Sequence, residues 1–107
     1  MTTKRKIRKT KTLKFLENLS GGPLNLRELL SAIRVGEGMS HSVFANKLGI
    51  SRAHLCDIEK GRKGVSLLRA IEFAEILRYS KDQFARLALQ TQMDDVGLPY
   101  RVLIEAA

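Results

Sequence analysis

Cysteine occurs once, at Cys56, and histidine only twice, at His41 and His54. A lone thiol cannot close an internal disulfide, which fits a reducing cytoplasm. Two histidines and one cysteine without zinc-site spacing give no reason to expect a metal. No apolar run approaches the length that spans a bilayer. The charged N-terminus is not followed by the apolar stretch of a secretory signal, so none is expected. Also missing are a glycine-rich phosphate loop and a pair of carboxylates in an apolar setting. The Ser, His and Asp side chains are accounted for by helix caps and surface contacts. The chain therefore reads as a binder and not an enzyme, with no cofactor. No internal repeat or low-complexity segment is visible.

Acidic residues are missing from the start of the chain. Lys4, Arg5, Lys6, Arg8, Lys9, Lys11 and Lys14 precede the first of them, Glu17. That leaves 12 of the 19 basic residues against all 11 acidic ones, so the net charge of +8 lies almost wholly in these first 16 residues. Such an arm is attracted to phosphates. Taken alone it reads as a solvated, disordered tail; beside a DNA-binding motif, phosphate or minor-groove contact becomes the better reading.

One domain is expected for 107 residues. It is organised around Ser40 to Arg62, SHSVFANKLGISRAHLCDIEKGR. Ser40 and Ser51 are N-cap residues, and the pairs Met39/Phe44 and Ile50/Leu55 have hydrophobic-staple spacing. Phe44, Ala45 and Leu48 form one apolar stripe, Leu55 and Ile58 another. Between them Gly49 can take the positive φ that ends the first helix. This is the plan of a helix-turn-helix, whose second helix lies in the DNA major groove.

The flanks complete an all-α domain. Residues 1–10 are a basic flexible arm, and over 11–23 Leu13, Phe15, Leu16 and Leu19 predict a short helix stopped at Gly21-Gly22-Pro23. The binding domain is placed at residues 24–93. There Asn25, with Glu28 three residues on, starts a helix carrying Leu26, Leu29, Leu30 and Ile33 and ending at Gly36. Ser66 caps one with Leu67, Leu68, Ile71, Ala74 and Leu77 on its core face. Ser80 caps the last, with Gln83 completing a box, Tyr79 stapled to Phe84, and Leu87, Ala88 and Thr91 facing inward. Five helices result, besides the short leading one. Residues 94–107 differ: past Gly97 and Pro99, Tyr100, Val102 and Ile104 alternate with Arg101, Leu103 and Glu105 as in a strand. A lone strand needs a partner, and the economical one is the same strand of a second subunit, antiparallel across a two-fold axis. Tyr100, Val102, Leu103 and Ile104 are the expected dimerisation residues, the alternative being a frayed tail.

The run F-A-N-K-L-G-I-S-R-x-x-L-x-x-I-E-K-G-R resembles the phage-repressor-like (Cro/C1, or XRE) helix-turn-helix family, without gaps from about Leu26 to about Phe84. The tail Phe84–Ala107 carries a looser resemblance to HigA-type antitoxins of toxin–antitoxin pairs. The first resemblance implies a five-helix DNA-binding domain, a basic loop at Lys60, Arg62 and Lys63 that clamps the DNA backbone, and a partly buried salt bridge between Arg34 and Glu59. It also places His41 where the family commonly has a phosphate-contacting glutamine, a departure that makes such a contact pH-sensitive. An exposed helix-start residue without a contact is the alternative for His41.

A recognition helix inserts its N-terminal half. Arg52 is then the leading base reader, because its guanidinium matches guanine O6 and N7. Ala53 permits close approach and can touch a thymine methyl. His54 suits a phosphate or a base, and Asp57 a cytosine amino group or the orienting of Arg52. Cys56 is a small helix residue, with no neighbouring cysteine to support a redox role. Ser40, Ser42, Ser51 and the N–H groups at both helix starts suit phosphate oxygens.

These readings converge on a homodimeric, sequence-specific repressor bound to double-stranded operator DNA. As an antitoxin, implied by the second resemblance, it would also neutralise a cognate toxin and repress their shared operon. Two alternatives stay open: a phage-type or housekeeping repressor without a toxin, and a protein-interaction module that has lost DNA binding.

Overall fold

The computed structural model describes residues 25–107. The basic arm and short leading helix expected over residues 1–23 lie outside the described residues. Five helices follow one another: α1 (Leu26–Gly36), α2 (His41–Leu48), α3 (Arg52–Glu59), α4 (Leu67–Leu77) and α5 (Lys81–Asp95).

Each helix begins where its capping side chain dictates. Asn25, Ser40, Ser51, Ser66 and Ser80 all have extended backbone, and each accepts from the N–H three residues on. A helix start leaves its first N–H groups unpaired, so each such bond satisfies one of them. Glu28 answers Asn25 through that residue's side-chain amide, Nδ2 to Oε1 at 3.4 Å. The staple at the start of α5 brings the Tyr79 and Phe84 rings to 5.8 Å between centroids, tilted by 41°.

The apolar faces meet in one core. Phe44, Phe73, Phe84, Leu30 and Leu55 are fully enclosed, and Met39, Ile50, Val65 and Tyr79 pack against its margin. Burying each large side chain stabilises by about 1.5–3 kcal/mol. α4 packs chiefly on α5, and α2 on α3, while α1 touches both pairs. Thr91 bridges the two ends of the chain. Its Oγ1 donates to the Leu87 carbonyl at 2.8 Å and accepts from Leu26 N–H at 3.4 Å.

The tail departs from expectation. No strand occurs among the described residues, and 98–107 carry no regular secondary structure. Strand geometry is defined by a ladder to a neighbour, and the single chain offers none. The alternation itself is visible over 101–105: Val102 and Ile104 are half-buried, whereas Arg101, Leu103 and Glu105 are exposed. Tyr100 breaks it, being 62% exposed instead of turned inward.

Candidate nucleic-acid interface

α2 and α3 are joined by a turn whose geometry is set by one glycine. Gly49 adopts φ 74° and ψ 27°, which side chains disfavour. Ile50 N–H returns to the Ala45 carbonyl (3.0 Å) and Gly49 N–H to Asn46 (3.1 Å), closing a Schellman cap on α2. α3 then starts at once from Ser51. Leu55 and Ile58 turn into the core, which leaves Arg52 and Ala53 exposed and His54, Cys56 and Asp57 half-buried on the other side. Arg52 has no ion pair among the described residues.

The far end of α3 is tied to α1. Arg34 donates from Nε and Nη2 to the Glu59 carboxylate at 3.1–3.3 Å, and from Nη1 to the Met39 carbonyl at 3.3 Å. Only 14% of the Arg34 side chain and 8% of that of Glu59 remain exposed. Fork-to-fork pairing fixes orientation as well as distance. His41, the first residue of α2, places Nε2 3.6 Å from the same Glu59 carboxylate. Three helices thus converge on one carboxylate.

Asp57 organises the loop after α3. Its carbonyl accepts from Arg62 N–H (2.8 Å) and Lys63 N–H (3.2 Å). Its carboxylate accepts from Arg62 Nε at 2.8 Å and lies 4.0 Å from Lys63 Nζ. The Arg62 hydrogen bond holds the Asp57 carboxyl below its usual 3.8, against a smaller opposing effect of burial and with further help from the charges of Arg62, Lys63 and His54. Gly61 turns the loop at φ 75°, and a β-carbon there would lie 3.3 Å from the Arg27 guanidinium. Arg27 in turn pairs with Asp95 at 3.0 Å.

The sequence-predicted residues therefore lie on α2, on α3 and on the loop that follows it. Arg52, Ala53 and His54 occupy the first turn of α3. Lys60, Arg62 and Lys63 are exposed just past its end, and Ser40, His41 and Ser42 stand at the start of α2. The Ser40 and Ser51 hydroxyl oxygens accept from Val43 and His54 N–H, which leaves each O–H to donate outward. Asp57 is bonded to Arg62, a partner the sequence reading did not give it. Tyr100, Val102, Leu103 and Ile104 lie on the tail after α5. Sequence reasoning missed Arg27 and Gln90, whose partners lie far along the chain or beyond a turn, with no local pattern to betray them.

Among the described residues no three His, Cys, Asp or Glu come together as a metal site would need. No described helix is long and apolar enough to cross a membrane. A helix-turn-helix family model matches residues 30–84, just over half of the chain and spanning α2, the turn, α3 and α4. No curated protein and no solved structure matches the chain.

Proposed function

The chain belongs to the Cro/C1-type helix-turn-helix family of DNA-binding regulators, and from that premise we propose that it is a cytoplasmic, homodimeric repressor that reads an inverted-repeat operator. The observation that carries the reading is the presentation of Arg52 and Ala53, exposed on the first turn of a helix braced at its far end by Arg34 and Glu59. Arg52 donates to guanine O6 and N7, while Ala53 and His54 meet neighbouring base edges. Asp57 accepts from a cytosine amino group while its other contacts order the loop. Ser40, His41, Ser42, Ser51, Lys60, Arg62 and Lys63 hold phosphates and set the register of the helix on the duplex. Dimerisation through the tail, with Tyr100, Val102, Leu103 and Ile104, places two such helices about 34–36 Å apart, one turn of DNA.

The test is a footprint of the purified protein on its own upstream DNA, followed by titrations of two variants. Arg52→Ala should cost about 1–3 kcal/mol and relax preference at one base position. Lys63→Ala should weaken all sequences alike and shallow the salt dependence by about one phosphate contact. Identical behaviour of both variants on specific and random DNA refutes this division of labour.

We further propose that the protein is the antitoxin of a toxin–antitoxin pair, which the tail's resemblance to HigA-type antitoxins supports. Its toxin would be encoded beside it. Expression of the adjacent gene should arrest growth, and co-expression of this chain should relieve the arrest with both products eluting as one complex. A harmless neighbour that elutes alone leaves a repressor without a toxin.

A further inference from the structure

One side chain ties the end of the chain to α5. Gln90, on α5, donates from Nε2 to the Tyr100 carbonyl at 2.8 Å and accepts at Oε1 from Val102 N–H at 2.7 Å. Its remaining Nε2 proton goes to Asp94 Oδ1 at 3.0 Å, so both amide protons are used. In an extended chain, the C=O of one residue and the N–H two residues later lie on the same edge. The Gln90 amide thus stands in for a neighbouring strand along the edge that belongs to the even-numbered residues. The opposite edge consists of the N–H and C=O groups of Arg101, Leu103 and Glu105, which have no hydrogen bond among the described residues. Leu103 is 80% exposed beside it.

We propose that this edge is filled by the same segment of a second copy, antiparallel, with Leu103 on the two-fold axis. The inference rests on the dimeric reading above and adds its register. Two copies presenting the same edge must pair odd residues with odd residues, since facing residues are either both hydrogen-bonded or both not. Few registers meet that condition. With the axis at Val102, Arg101 faces Leu103 and Glu105 faces Pro99, which has no N–H to give. With the axis at Ile104, Leu103 faces Glu105. With the axis at Leu103, leucine meets leucine, and each Arg101 faces the partner subunit's Glu105. The half-buried Val102 and Ile104 then oppose each other on the inner face, in the closer non-hydrogen-bonded pairs. Only this register matches charge with charge and apolar with apolar on both faces. Gln90 prepares it by fixing which edge is offered.

The test uses the full chain in sedimentation velocity. Arg101→Glu and Glu105→Arg each set like charges opposite one another twice, and each should raise the dimer dissociation constant about tenfold or more. The double exchange, Arg101→Glu with Glu105→Arg, should restore it. In a Cys56→Ser background, Leu103→Cys should form a disulfide-linked dimer under mild oxidation, because facing α-carbons in a hydrogen-bonded pair lie about 5.5 Å apart. Glu105→Cys alone should not, since two such positions would be roughly 13 Å apart along the ribbon. A wild-type chain that stays monomeric at tens of micromolar overturns both the dimer and its register. A wild-type dimer in which the double exchange gives no rescue, or in which position 105 cross-links as readily as 103, overturns the register and leaves the dimer standing.

Discussion

Removing the Arg34 guanidinium tests how α3 is held. Arg34→Ala deletes every hydrogen bond that Arg34 gives to Glu59 and to the Met39 carbonyl. Glu59 stays behind with 8% of its side chain exposed and only the His41 imidazole, at 3.6 Å, in reach. Breaking one side of a buried ion pair costs about 3–5 kcal/mol, most of it the desolvation of the abandoned charge. The remaining access to water and the nearby His41 place this case near the lower end, about 3 kcal/mol. For a domain of this size, that lowers the melting temperature by roughly 12–24 °C. The assay is a circular-dichroism melt at pH 7 of wild type, Arg34→Ala, Glu59→Ala and the double variant. The double variant should lose less than the sum of the singles, because removing both partners strands no charge. A melting curve for Arg34→Ala that overlays the wild type refutes the reasoning.

Two further outcomes follow from local geometry. Arg78 ends α4 in the left-handed region at φ 60° and is exposed, so Arg78→Gly should raise stability by about 1 kcal/mol; an unchanged or lower denaturation midpoint contradicts this. Asp57 titrates below its usual 3.8 because Arg62 donates to the ionised form, so its stabilising effect is present above that value and fades as pH falls through the lower folded value. Melts of wild type and Asp57→Asn should therefore differ at neutral pH and converge in acid, and a gap that stays constant from neutral pH down to strong acid counts against the Arg62 contact.

The parts of this molecule legible in the sequence are those fixed within a few residues. The capping residues, the glycine turn and the apolar stripes each depend on spacing along one or two helical turns, and the structure places them as expected except on α4, where Leu67 and Leu68 are exposed and Ala70 and Phe73 are buried beside Ala74 and Leu77. The Arg34–Glu59 pair spans 25 positions and is implied only by the family resemblance, since no periodicity joins two charges on different helices. Asp57 and His41 show where local reading stops. Both stand on the surface facing outward, as their positions imply, yet each also has an internal partner that only the folded chain brings near. The tail is the converse case: its alternation is legible over 101–105, but alternation says which face a side chain takes and not what completes the backbone edge. Here that is Gln90, ten residues or more away around a turn.

An eight-residue helix is too short to be stable in isolation, where about 12–15 residues are marginal, so α3 owes its conformation to its anchors. Whatever sets the distance between two such helices matters as much as what each one touches. Gln90 sits at that point, because its hydrogen bonds go to Asp94, Tyr100 and Val102 and none to α3. Gln90→Ala removes the hydrogen bonds that hold Tyr100 and Val102, at about 0.5–1.5 kcal/mol each. The helical core does not depend on them, so the melting temperature should move little. The order they impose on the tail is lost, and ordering it again on pairing should weaken the dimer about tenfold. In a gel shift, Gln90→Ala should then lose affinity for the full inverted repeat while binding an isolated half-site as the wild type does. Equal loss on both DNAs would mean that Gln90 supports the fold of each domain and not the spacing between them.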